Sequence, residues 1–452
     1  MIGRTRTRAL LAATAAGALL VGMTAVPALG QQPAVPAPAP SVPVESPIAP
    51  APTNGKAAVE GSDIQQREYW LDDYGVRDAW KSATGKGVKI AVIDTGVDGS
   101  HQDLTGSVGE GTDVSGKGRA DGQQGLGEEP EHGTLVASLA AGHGHGEDRS
   151  GGPGKQQGIL GVAPDAEILP VSMWLGAEQP GVKDVNEQIP DAVRWAVDHG
   201  ADVINMSVGS NATAWPQSWD SAFAYAEEKN VLVVAAAGNR GSGLTQVGAP
   251  ATIPGVLSVG GVDRQRQASW DSSSQGISIG VAGPSEDMVG AMPGNGYAEW
   301  SGTSATVPLV SGTAALIKQR HPELTGAQIA QRIVKTAHDA GEKGKDPFYG
   351  YGILDVRAAV EDDVETTEEN PLGSVQHWIE QNRPHTASPG ASASASADEG
   401  DTEHVTQEAT PPVAQKPLNE TGALPVVILA SFAVVVSGLT VAAILHLSLI
   451  HI

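Results

Sequence analysis

The 452-residue chain contains no cysteine, which excludes disulfide staples and thiol chemistry. Stability must come from buried apolar area, and the stretch 66–360, roughly 295 residues, is long enough to bury a sizeable core unaided. Basic residues are scarce: 28 Lys and Arg stand against 52 Asp and Glu, for a formal net charge of −24. Phosphate backbones are held by clustered Lys and Arg, so nucleic acid is excluded as a partner class, and the acidity points to a soluble surface. The last residues, 446–452, hold neither Lys nor Arg, although a cytoplasmic flank is expected to carry some.

Against these absences stand three short segments, far apart and chemically complementary: Asp94-Thr95-Gly96, His132-Gly133-Thr134, and Gly302-Thr303-Ser304 with Pro308 following. A serine hydroxyl is a weak nucleophile that needs an adjacent base. An imidazole can take its proton and return it to a leaving amine. A carboxylate behind the imidazole fixes its tautomer and stabilises the imidazolium. Alone, Asp-Thr-Gly is an ordinary strand-to-turn exit, and His-Gly-Thr says as little. The signal lies in the order Asp, His, Ser, with position numbers that differ by 38 and then 172, one of the few orders in which this triad recurs.

Local patterning suits those roles. The apolar, β-branched run 87–93 predicts a buried parallel strand with Asp94 at its C-terminal end, where sites gather in open α/β sheets. The runs 201–206 and 231–235 predict two more strands, the second delivering Asn239 just beyond its end. The run 135–141 predicts a buried helix after His132, and 305–320 another after Ser304. Both groups then sit at helix N-termini, where the dipole favours negative charge. Pro308 is expected within about the first turn, where proline does least harm.

On these motifs the stretch 66–360 resembles the subtilases, the subtilisin-like serine proteases. The resemblance implies an α/β, three-layer fold with a mostly parallel central sheet and a triad of Asp94, His132 and Ser304. It also implies an oxyanion hole from the Asn239 side-chain amide and the Ser304 backbone N–H. Ser207-Val208-Gly209 matches the family's substrate edge strand, which accepts a peptide by β-augmentation, and Ala236-Ala237-Gly238 would form another wall of the specificity pocket. Arg240 stands where many relatives carry Glu, and is expected to disfavour basic residues before the cut. No cofactor is required. Asp103 matches a position that often binds Ca²⁺ in subtilisins, but a set of six or more oxygen ligands cannot be assigned. His143-Gly144-His145 with Glu147 and Asp148 is a second candidate metal cluster, weighed against a solvated loop tip. Four positions depart from the family pattern: Ala305 and Thr306 replace Met-Ala after the nucleophile, and Leu135 and Ser138 replace the second His and the Gly of the histidine segment. Thr306, β-branched and hydroxylated, bears on how the nucleophile is seated. Sedolisins lack the His-Gly-Thr segment, so His132 argues against them.

The flanks suggest export and anchoring. Residues 1–30, with Arg4, Arg6 and Arg8 before an Ala-rich apolar run and a small-residue cleavage site, predict a signal peptide, with a membrane anchor as the alternative. Residues 31–65 are a Pro/Ala-rich extension or pro-segment. The acidic and Ala-Ser stretch 361–422 predicts a disordered stalk. Residues 423–445 carry no charge and span a ~30 Å hydrocarbon core as one transmembrane helix, leaving 446–452 as a short cytoplasmic tail. Leu418-Asn419-Glu420-Thr421-Gly422 also resembles a sortase signal. This layout resembles the mycosins, membrane-bound subtilases of actinobacteria associated with type VII secretion. The expectation is a single-pass protein of the cell membrane, its catalytic domain extracellular, acting on protein or peptide substrates and partnered with such a secretion complex. The alternatives are a non-catalytic structural component of that complex and a general surface protease.

Overall fold

In the computed structural model the chain enters through strands β1 (Ala49–Pro50) and β2 (Ala57–Ala58) and three one-turn helices, α1 (Ile64–Arg67), α2 (Trp70–Asp73) and α3 (Val76–Ala79). The α/β body follows as β3 (Lys89–Asp94), β4 (Thr112–Asp113), α4 (His132–Ala141), β5 (His143–His145), β6 (Gln157–Leu160), β7 (Glu167–Ser172), α5 (Val185–Asp198), β8 (Val203–Met206), β9 (Val208–Gly209), α6 (Gln217–Glu228), β10 (Leu232–Ala236), β11 (Leu257–Val262) and β12 (Ile279–Pro284). The hairpin β13 (Met288–Met292) and β14 (Gly296–Trp300) leads into the long helix α7 (Thr303–Arg320), then α8 (Gly326–Thr336), α9 (Val356–Glu361) and α10 (Val375–Asn382). The structure describes residues 49–50, 57–59, 64–146, 157–366 and 368–383. The expected signal peptide, the Ala-Ser stretch, the apolar span 423–445, the tail, the sortase-like segment, Glu147 and Asp148 all lie outside the described residues.

Seven strands form one sheet in the order β12-β11-β10-β8-β3-β7-β4, and every pairing in it is parallel. Strand β3 shows why its sequence reads as a continuous apolar run. Successive side chains of a strand point to opposite faces. Ile90 and Val92 join the core beneath α4 and α7, with Leu135, Leu139 and Val310. Ala91 and Ile93 join the core beneath α5 and α6, with Ile189, Val193 and Phe223. Both faces are covered, so no position on β3 between Ile90 and Asp94 is left for a surface residue. Helix α7 is buried along its length from Thr303 to Ile317, and its sequence is accordingly apolar or small all round.

The predicted strands and helices around the three motifs form within three residues of their expected bounds, in the subtilisin-like three-layer fold. Two expectations are corrected. The stretch expected to be a disordered stalk carries a helix: beyond α9, which ends at Glu361, α10 spans Val375–Asn382. Ser374 caps α10, its side chain accepting from His377 N at 3.2 Å, and the Glu227 carboxylate accepts from Val375 N at 2.9 Å. Trp378 packs its ring against Trp215 at 4.4 Å, and the Arg383 guanidinium pairs with Asp220 at 2.7 Å. Acidic composition conceals this segment because four apolar anchors, Leu372, Val375, Trp378 and Ile379, are diluted among Glu, Gln and Asn. Pro308, in turn, is the sixth residue of α7 rather than part of its first turn.

The lead-in contributes a buried acid. Glu68 is almost fully buried beside Leu160, whose N–H it accepts, and its second carboxylate oxygen has no partner among the described residues. Burial pushes its pKa well above the ordinary carboxylate value, outweighing the Leu160 N–H and the more distant Arg77, which act in the opposite direction. A raised folded-state pKa means that the folded state binds the proton more tightly than the unfolded one. Stability is then greatest below the unfolded carboxylate pKa and falls as pH rises toward the folded value. Glu68→Gln, which keeps the acceptor for Leu160, is expected to raise the melting temperature at neutral pH and to leave it unchanged near pH 4; thermal melts across that range check it.

Candidate active site

Asp94 is the last residue of β3 and His132 the first of α4. His132 Nδ1 lies 2.8 Å from Asp94 Oδ1, with both side chains fully buried. The same carboxylate oxygen accepts from Thr95 N at 2.7 Å, and Thr95 Oγ1 accepts from Gly133 N at 2.9 Å, tying the strand exit to the helix entry. Gly133 is required by that close approach: a Cβ there would stand 2.3 Å from the Gly96 carbonyl oxygen. Thr134 completes the junction by accepting from Asp98 N at 3.0 Å. The Trp300 ring meets the His132 imidazole edge-on, with centroids 5.8 Å apart.

Ser304 is the second residue of α7. Its hydroxyl donates to the Ser207 carbonyl at 3.1 Å, while His132 Nε2 has no hydrogen-bond partner among the described residues. Asn239 lies three residues beyond β10, and its Oδ1 accepts from both Thr303 N at 2.8 Å and Thr303 Oγ1 at 2.9 Å. That turns the amide nitrogen toward Gly302, where a Cβ would approach it to 2.7 Å and φ is +147°, so only glycine fits. Thr303 Oγ1 also accepts from Gly238 N at 3.2 Å. Thr303 and Thr95 thus orient the site from behind. Both stand inside the motifs, yet the sequence alone assigns neither of them a task, because their partners are far away along the chain. The Thr306 hydroxyl donates to the Pro284 carbonyl at 2.9 Å, so this departure from the family pattern is satisfied away from Ser304.

Ser207, Val208 and Gly209 follow β8 at its C-terminal end, with Val208 and Gly209 forming β9. This edge already carries an antiparallel strand: β1 pairs with it, Ala49 opposite Gly209 and Pro50 opposite Val208. Ala236 closes β10, Ala237 N donates to Val259 O at 3.0 Å, and Gly238, at φ +98°, accepts from Ser274 N at 2.7 Å. Arg240 begins the turn just past Asn239. Its guanidinium lies 4.0 Å over the Trp270 ring and donates to Trp270 O at 3.0 Å and Gln275 Oε1 at 3.3 Å.

The surroundings of Asp103 do not suit a hard cation. Oδ1 faces His145 Nδ1 at 2.6 Å, and Oδ2 accepts from Ile159 N at 2.9 Å and Tyr297 OH at 2.8 Å. These are nitrogen and hydroxyl donors where Ca²⁺ demands oxygen ligands. The ring nitrogens of His143 face the Gly144 and Thr105 carbonyls at 2.6 and 3.0 Å. Among the described residues no group of three or more His, Cys, Asp or Glu could hold a metal. The fold places protein hydrogen bonds where the resemblance suggested calcium.

Comparison with known proteins agrees with this architecture. Residues 85–352 match the model of the subtilase family. The chain is 36% identical over 283 residues to subtilisin DY of Bacillus licheniformis, an alignment covering 61% of this chain and 92% of that one. It is 32% identical over 348 residues to fervidolysin of Fervidobacterium pennivorans, covering 68% of this chain and 46% of fervidolysin, so it spans about half the length of that relative. Among solved structures, MycP1 from Mycobacterium smegmatis superposes with a TM-score of 0.55 at 28% identity, covering 71% of this chain and 91% of that one. The strand order, the three motifs and these likenesses agree: this chain belongs to the subtilase family.

Proposed function

We propose that the chain is a serine endopeptidase that cleaves peptide bonds through an acyl-enzyme, with Asp94, His132 and Ser304 as its triad. The observation that carries the reading is the buried Asp94–His132 bond of 2.8 Å, formed where the C-terminal end of β3 meets the N-terminus of α4 and close to the start of α7. A peptide adding to the edge Ser207–Gly209 as a strand takes the place that β1 holds here. Its N–H groups compete for the Ser207 carbonyl, freeing the Ser304 hydroxyl to turn to His132 Nε2. His132 then takes the proton as Ser304 Oγ attacks the scissile carbonyl, while Asp94 stabilises the imidazolium. The oxyanion is received by Asn239 Nδ2 and the Ser304 N–H. His132 returns the proton to the leaving amine, and water, activated by the same imidazole, hydrolyses the ester.

The wider setting is part of the same proposal. An apolar N-terminal run, an uncharged stretch at 423–445 and the structural likeness to MycP1 support a mycosin-like protease, exported and held by one span at the outer face of the cell membrane, where it serves a type VII secretion complex.

Two experiments test the site. Full-length protein is expected to react with a fluorophosphonate probe and Ser304→Ala not at all; an unlabelled, folded wild type would refute the assignment. In the same preparation Asn239→Ala is expected to lower kcat by about 10²–10³-fold, the size established for the corresponding donor in subtilisin itself. The fixed guanidinium of Arg240 is expected to disfavour Lys and Arg at the residue before the cut. Arg240→Glu then raises turnover of such substrates roughly fivefold, the scale of an exposed charge pair, as measured on a peptide library.

A further inference from the structure

Helix α7 carries a defect at the place where the nucleophile needs most precision. In an α-helix the carbonyl of residue i accepts from the N–H of residue i+4. For Ser304 that partner is residue 308, a proline, which has no N–H and whose ring crowds the carbonyl four residues back. The Ser304 carbonyl is thus deprived of its helical bond in a fully buried setting, where an unmet acceptor is costly.

A side chain from another element fills the gap. Ser207 Oγ donates to the Ser304 carbonyl at 3.0 Å. Ser207 Oγ in turn accepts from Asn205 Nδ2 at 3.1 Å, and Asn205 Oδ1 accepts from Ser311 Oγ at 3.0 Å. All four side chains are fully buried. Ser304 and Ser311 lie seven residues apart, two turns along one face of α7. Asn205 lies on β8, in register with Val92 of β3 and Val234 of β10. The chain of bonds therefore fastens α7 at two levels to the middle of the central sheet. Its donors run in one direction, from Ser311 through Asn205 and Ser207 to the backbone of the nucleophile.

We infer that Ser207, backed by Asn205 and Ser311, is a positioning residue for Ser304: its hydroxyl supplies the hydrogen bond that Pro308 removes and so sets the nucleophile's height against the substrate edge. The role is separate from that of the Ser207 backbone carbonyl, which faces the Ser304 hydroxyl on the substrate side. The inference rests on the endopeptidase reading above. It makes Ser207 and Pro308 a coupled pair, and the coupling is what a merely structural role would not produce.

The test is a double-variant cycle in the full-length protein, reading the fluorophosphonate labelling rate, peptide kcat and KM, and melting temperature. Ser207→Ala keeps the backbone carbonyl, so KM is expected to hold while kcat and the labelling rate fall roughly tenfold or more, the cost of displacing a reacting group by a fraction of an ångström. Adding Pro308→Ala returns an N–H to the Ser304 carbonyl and is expected to recover most of that loss. Ser311→Ala, a milder cut at the far end of the chain of bonds, is expected to lower kcat less, again at constant KM. A Ser207→Ala protein with wild-type kcat and labelling rate would overturn the inference alone, as would a double variant no faster than Ser207→Ala. A folded wild type that does not label would overturn the endopeptidase reading and this inference with it.

Discussion

Burial of β3 on both faces is the constraint on which the rest of the molecule depends. A strand enclosed by helices above and below can carry almost no polar side chain along its length, and β3 carries none between Ile90 and Ile93. Asp94 comes at the first point where the strand leaves the sheet. Its carboxylate is still fully buried, and an isolated buried charge is expensive. The Thr95 N–H and the His132 imidazole offset part of that cost at Oδ1, while Oδ2 has no partner among the described residues, and the same geometry builds the pair the proposed chemistry needs. The parallel sheet then places the ends of β8 and β10 on the same side, which brings Ser207 and Asn239 within reach of α7.

The site is supported from behind by small hydroxyl residues. Thr95 joins strand to helix, Thr303 locks Asn239 and Gly238 together, Thr306 reaches the end of β12, and Ser207 meets a carbonyl that proline has orphaned. Each hydroxyl satisfies a backbone group that the tight packing of α4 or α7 would otherwise strand away from water. Glycine provides the complementary allowance at Gly133 and Gly302, where a Cβ would collide with the opposing segment. A dry site assembled from a strand end and two helix starts has many such loose ends, and the motifs around Asp94, His132 and Ser304 are largely the residues that resolve them.

Away from the site, other contacts replace elements the chain lacks. With no cysteine and no cation-binding donor set around Asp103, the β5–β6 region is held by His145, Tyr297 and the Ile159 N–H on one carboxylate. The C-terminal side is held by an aromatic and ionic clasp, with Trp378 on Trp215 and Arg383 on Asp220. Neither contact could be read from local composition, because each joins residues more than 40 positions apart.

The sequence by itself determined the class of fold and singled out the three residues proposed to react. Apolar runs of strand and helix length flank Asp94, His132 and Ser304, and an acid, an imidazole and a hydroxyl in that order and at that spacing seldom serve anything but a catalytic triad. It also displayed the proline at 308, whose missing N–H follows from covalent structure alone. Only the tertiary structure decided how that deficit is met, that helix α10 follows the acidic run, and what surrounds Asp103. Those outcomes depend on which side chains meet across the sheet. A local pattern reports whether a residue will be buried; the partner it finds there is set by the register of strands and the seating of helices brought together from distant parts of the chain.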